Sequence, residues 1–187
     1  KVMIPPKNIG ISAGYNLAIK EAKTNFVFLN SADIDLSNKT INNLEECVSK
    51  IKDFAIIAAT YEDESVYKNY EIWDDNKFTK KLLNETFKKY EITEVDYIDN
   101  DFIINKKDFE DIGFFDENIF MYYETMDLCK KARKAGKKIY VSQKIKFIHY
   151  GAQSVDSKFS YQYSLSRSWH YNWSKFYYFK KNFSYIY

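Results

Sequence analysis

Two carboxylates one residue apart close an apolar run: Phe26-Val27-Phe28-Leu29 leads through Asn30-Ser31-Ala32 to Asp33-Ile34-Asp35. The run is too short for a helix and reads as a buried strand, and open α/β sheets bind ligands beyond the carboxyl ends of their strands. Residues i and i+2 share a side while the chain stays extended. Asp33 and Asp35 would then offer hard oxygen ligands to Mg2+ or Mn2+. The same spacing also suits two solvated turn residues.

Holding such a strand end in place calls for a covered sheet. Val2-Met3-Ile4 stops at Pro5-Pro6, and a turn at Asn8-Ile9-Gly10 leads into a helix that Ser12 can cap, with Ala13, Leu17, Ala18 and Ala22 as a small-residue face. A second helix follows Asp35, capped by Ser37 or Asn38, with Ile41, Leu44, Val48 and Ile51 at helical spacing. Residues 54–61 form a nearly continuous apolar strand. Helices alternating with continuously apolar strands predict an α/β fold, a mainly parallel sheet flanked by helices. Residues 62–94 are looser, an insertion suited to shaping an acceptor site, with an amphipathic helix over 78–90. A strand over 95–105, a short helix over 106–112 and a corner at Gly113-Phe114-Phe115-Asp116 come next. A helix over 124–135 closes at Gly136, with Lys130, Lys131, Arg133 and Lys134 near its negative end. Strands over 139–141 and 145–148 follow, the second ending at His149.

A length of 187 residues suits one domain spanning 1–187, able to bury a core without disulfides. Cys47 and Cys129 fall on helical segments far apart, as small core residues and reduced thiols of a cytoplasmic protein would. The net charge of +2 comes from intermixed acids and bases, which excludes a broad nucleic-acid footprint. No secretory signal opens the chain, and no apolar run reaches the ~18 residues of a membrane span. Of the 17 Tyr and 15 Phe, much of the excess sits in the last third, which makes it a local feature rather than a bias of the whole chain.

Four motifs in order carry a resemblance: Asn8-Ile9-Gly10-Ile11-Ser12-Ala13-Gly14-Tyr15-Asn16; Phe28 through Asp35; Gly113-Phe114-Phe115-Asp116 with Phe120-Met121-Tyr122-Tyr123-Glu124-Thr125-Met126-Asp127; and Phe147-Ile148-His149-Tyr150-Gly151. Together they resemble the family 2 glycosyltransferases of GT-A fold, closest to the bacterial rhamnosyltransferase-like members. The resemblance implies a metal-dependent, inverting transfer of a sugar, such as the rhamnose of dTDP-L-rhamnose, to a glycan or lipid-linked acceptor in surface-polysaccharide synthesis. Asp33 and Asp35 with His149 would hold Mg2+ or Mn2+ against the diphosphate, unless His149 is only a satisfied strand-end histidine. Asn8, Gly10 and Asn16 join the two aspartates on the donor side, and Asp116 and Tyr123 fall on the acceptor side.

The acceptor hydroxyl needs a base, which in the family lies in a Glu-Asp pair. Here the pair reads Glu124-Thr125, and Thr125 cannot take a proton at neutral pH. Glu124 or Asp127, i and i+3 on one helical face, would replace it, although both acids also suit the positive end of a helix. Thr125 keeps open an inactive relative that binds a sugar nucleotide or glycan.

Residues 159–187 read as an aromatic and basic C-terminal helix. Arg167 and His170 would reach the diphosphate, while Lys175, Lys180 and Lys181 among the aromatics suit peripheral contact with the inner face of a membrane, or a peripheral scaffold built on it. The rings equally suit packing on the sheet or on a partner chain. Family members carry a strand, helix and second strand before the Asn-x-Gly segment. The expectation is therefore a domain lacking its first βα unit, whose open edge at residues 26–29 invites association.

Overall fold

The computed structural model describes residues 2–51, 53–62, 68–73, 85–150 and 157–183. Helix α1 (Gly10–Glu21) leads to β1 (Phe26–Leu29) and the two-residue β2 (Ile34–Asp35), then to α2 (Asn38–Lys50) and β3 (Ile56–Tyr61). After β4 (Tyr70–Glu71) come α3 (Glu85–Tyr90), β5 (Ile92–Glu94), β6 (Tyr97–Ile98), β7 (Phe102–Asn105) and α4 (Lys106–Asp111). The chain closes with α5 (Glu124–Lys134), β8 (Ile139–His149), a 3-10 turn at Ser157–Phe159 and α6 (Ser160–Asn182).

The main sheet runs β1-β7-β3-β8-β2, with β5 also on β8, while β4 and β6 form a separate ladder. The α/β class stands, but the sheet is mixed rather than mainly parallel. Of the described pairings only β3 with β8 is parallel; β1–β7, β3–β7, β5–β8, β2–β8 and β4–β6 are antiparallel. Burial on both faces makes a strand apolar throughout whichever way it runs, so continuous runs such as β3 carry no directional signal. One face of the sheet packs Ile19, Ile56, Ile104, Phe109 and Leu128. The other packs Leu44, Cys47, Phe54, Ile57, Ile103 and Phe147. Both cysteines are free and buried, as their spacing suggested.

Several boundaries moved for local reasons. The strand expected over 95–105 is interrupted after β6, where Asp101 takes φ +56° and Asn69 donates to the Asn100 carbonyl at 2.7 Å. The two expected C-terminal strands are one, β8, with a bulge that shifts its register on β3 between Ala59 and Thr60. Ser37 caps α2 by accepting from Thr40 N at 3.1 Å. Ser12 does not cap α1; it is buried one turn in and donates to the Ile119 carbonyl at 2.5 Å. Of the helix expected over 78–90, the described part is α3, and residues 78–84 and Gly151 lie outside the described residues.

Candidate active site

At the carboxyl end of β1 the chain turns before β2 pairs with the end of β8, Ile34 opposite His149 and Asp35 opposite Ile148. Tyr150 N donates to the Asp33 carbonyl at 2.9 Å, which ties the turn down. The Asp33 carboxylate then stands 3.4 Å from His149 Nε2, and the His149 ring stacks on Tyr61 at 5.1 Å. Because the turn precedes β2, Asp33 and Asp35 do not share a side: Asp35 is exposed and accepts from the Tyr150 hydroxyl at 3.3 Å. Asp101 braces this corner, accepting from Ser31 N at 2.6 Å and from the Tyr61 hydroxyl at 2.5 Å.

The opposite wall is the loop between α4 and α5. Helix α1 grips it: Ile11 N donates to the Phe120 carbonyl at 2.8 Å, and the Asn16 amide exchanges 3.0 Å hydrogen bonds with Phe115 N and its carbonyl. Gly10, at φ +81°, lies so close that a Cβ there would stand 2.5 Å from the Phe120 carbonyl oxygen. Gly10 and Asn16, expected to contact a donor, are thus spent on seating this loop, and Asn8 turns inward on Gly10 N at 3.0 Å. The loop ends in two successive left-handed residues, Tyr122 at φ +67° and Tyr123 at φ +66°, a conformation that side chains with a Cβ adopt rarely.

That strained step delivers Glu124 to the first turn of α5. Glu124 is 6% exposed, and among the described residues its Oε2 has no hydrogen-bond partner. Burial pushes its carboxyl up to about 7, against the Glu124 and Tyr122 backbone N–H groups that favour the charged form; the charge of Asp99 adds to the rise. Asp99, at the end of β6, is itself pushed up to about 6, by burial first and by Asp101 second, while the Tyr97 hydroxyl donates to it at 2.6 Å. Thr125 is buried within reach of Tyr97.

Helix α6 closes the third side with a stripe at helical spacing. Arg167 Nε donates to the Tyr122 hydroxyl at 2.6 Å, His170 stacks on Phe120 at 4.4 Å, and Ser174 donates to the Met121 carbonyl at 2.7 Å. Further on, Lys181 bridges Asp116 at 2.7 Å and Asp127 at 2.8 Å, and Asn182 reaches Asp127 at 3.3 Å. Burial alone would raise the Asp116 carboxyl, but hydrogen bonds from Lys181 and Asn118 hold it down at about 2. Asp127 and Asp116 therefore anchor α6 by charge. One helical turn separates Glu124 from Asp127 in function: the first faces the cavity, the second faces Lys181.

The three walls enclose a cavity of about 1030 Å³. It brings together Asp33, His149, Tyr123, Glu124 and Arg167, and leaves Asn8, Gly10, Asn16, Asp35, Asp116, Asp127 and His170 outside its lining. It also holds Asp99, Lys68 and Tyr122, which the sequence reading missed. Asp99 had a legible signal: Asp99-Asn100-Asp101, directly after Tyr97-Ile98, repeats the Asp-x-Asp pattern of the first strand end. Among the described residues no three side chains of His, Cys, Asp or Glu converge to hold a metal ion by themselves.

No protein-family model matches the chain, and no curated protein sequence matches it. A solved structure does: the crystal structure of GalNAc-T7 with UDP, GalNAc and Mn2+, with a TM-score of 0.60 at 15% identity over 81% of this chain. The fold is GT-A. The match spans 33% of that longer chain, about a third of its length. In this GT-A fold the cavity occupies the crevice beyond the carboxyl end of β1, where ligands of open α/β sheets bind.

Proposed function

We propose that the chain is a metal-dependent, inverting glycosyltransferase of family 2 type, moving a sugar such as L-rhamnose from a nucleotide diphosphate donor to a glycan or lipid-linked acceptor in bacterial surface-polysaccharide synthesis on the cytoplasmic side of the membrane. One observation carries the reading: a single cavity sets the Asp33–His149 pair on one wall against the buried, half-unpartnered Glu124 on another. The GT-A fold supports it, as do the four sequence motifs.

Asp33 and His149 supply two donors, a carboxylate and an imidazole. That fits Mg2+ or Mn2+ completed by diphosphate oxygens and water, since such ions are commonly held by one or two carboxylates together with substrate phosphates. When bound, the ion would offset the charge of the leaving diphosphate. Arg167 and Lys68 add positive charge to the same cavity. Tyr122 orients the Arg167 guanidinium through its Nε.

Glu124 is the base in this scheme, because its neighbour Asp127 is committed to Lys181. An acceptor hydroxyl hydrogen-bonded to the Glu124 carboxylate gives up its proton to it as the acceptor oxygen bonds to the anomeric carbon. The bond from that carbon to the donor diphosphate breaks, and the nucleoside diphosphate leaves as the anion. A carboxyl poised near 7 is well matched to taking that proton at neutral pH.

The test is calorimetric titration with UDP and dTDP, with and without Mn2+, followed by assay of nucleoside diphosphate release from UDP- and dTDP-sugars. Metal-enhanced binding and release are expected. Binding without release even with acceptor glycans would instead make the chain a sugar-nucleotide-binding relative, and absence of binding would end both readings.

A further inference from the structure

We propose that the outward face of α6 is a lipid-binding surface that seats this domain on an anionic bilayer. The helix docks through the stripe that includes Arg167, Ser174 and Lys181. Its opposite side carries Tyr161, Leu165, Trp169, Trp173 and Phe176. These recur every three or four residues and so fall on one arc of the helix. All five are exposed, Trp169 to 69%. A contiguous outward row of large apolar side chains marks an interaction surface rather than a solvated face.

Charge selects the partner. The 23 residues of α6 contain no Asp or Glu, whereas Lys175 and Lys180 are exposed beside the aromatic arc. An acid-free face of tryptophan, tyrosine and phenylalanine edged by lysines complements a headgroup layer of negative charge: the rings enter the boundary region and the lysines stay at phosphate level. Lys181 does not belong to this set, since it turns inward to Asp116 and Asp127. No helix among the described residues is long and apolar enough to cross a membrane, so the contact lies along the surface.

The same helix lines the cavity with Tyr163, Arg167 and Tyr171 from its other side. A bilayer under the aromatic arc would therefore run beside the cavity wall, within reach of an acceptor carried on a lipid. The binding itself needs only the placement of α6 and is independent of the chemistry assigned to the cavity.

The experiment is sedimentation of the whole chain with phosphatidylcholine vesicles, with and without phosphatidylglycerol, in the absence of any nucleotide. We expect binding to the anionic vesicles with a blue shift of tryptophan emission, weakened in about 1 M NaCl, where screening shortens to about 3 Å. Replacing Trp169, Trp173 and Phe176 together by Ser should lower the partition at least roughly tenfold, because three large apolar groups leave the interface. Circular dichroism of that variant should be unchanged, since the three side chains are exposed. Trp169→Ser alone gives a second, milder variant, and Lys175→Glu should weaken binding to the anionic vesicles only. The proposal fails if the wild-type chain stays in the supernatant with both vesicle types, or if the triple variant binds as the wild type does. It also fails if the triple replacement abolishes self-association of a chain that never binds vesicles, because the arc is then an interface between copies.

Discussion

Replacing Glu124 by Gln should make this protein more stable and less active. In the folded chain burial raises the Glu124 carboxyl from its ordinary 4.5 to about 7, so between those pH values the folded state holds a proton that the unfolded state has released. Stability therefore falls as pH rises through that window and levels off above it. At about 1.4 kcal/mol for each pH unit, the ionised carboxylate destabilises the fold by about 3 kcal/mol once the pH exceeds the raised value. Gln has nearly the same shape and never ionises. Urea unfolding of both proteins should thus give equal stabilities at about pH 4 and an advantage of about 3 kcal/mol for the variant at about pH 8. Nucleoside diphosphate release should fall at least ~10²-fold, the usual loss when a general base is removed. A stability difference that is flat in pH, or a variant weaker than wild type at about pH 8, would refute the placement of Glu124 as a buried, under-partnered acid.

The remaining expectations follow from the same geometry. Asp33→Ala should abolish the Mn2+-dependent part of UDP binding in calorimetry while Asp35→Ala retains most of it, because only Asp33 stands beside His149 in the cavity; equal losses would show that the turn rearranges to gather both. Asp99→Asn should move the acidic limb of the pH–rate profile to lower pH, since the Asp99 charge is one of the causes holding Glu124 up; an unmoved limb would separate the two carboxylates. Lys181→Met leaves Asp127, 1% exposed, without its nearest cation and should lower stability by about 3 kcal/mol in urea unfolding; an effect below about 0.5 kcal/mol would match a merely exposed ion pair.

Local chemistry already determined a good part of this molecule from the sequence. Apolar runs at 26–29 and 54–61 became β1 and, from Ile56 on, β3, Ser37 became the cap of α2, Gly136 follows the end of α5, and Glu124 stands in the first turn of α5. Each of these rests on residues within one or two turns of one another, where propensity, capping and periodicity operate. Only the tertiary structure decided the rest. Strand direction was invisible because two-sided burial erases alternation. The Asp33-x-Asp35 pair separated because a turn, pinned at the Asp33 carbonyl by the distant Tyr150, broke the extended chain that the spacing assumed. Gly10 and Asn16 proved to be seats for a loop about a hundred residues away, and Asp127 was claimed by Lys181, 54 residues downstream. A carboxylate's role depends on which charge and how much water lie next to it in space, and those neighbours are supplied by distant segments that spacing along the chain does not encode.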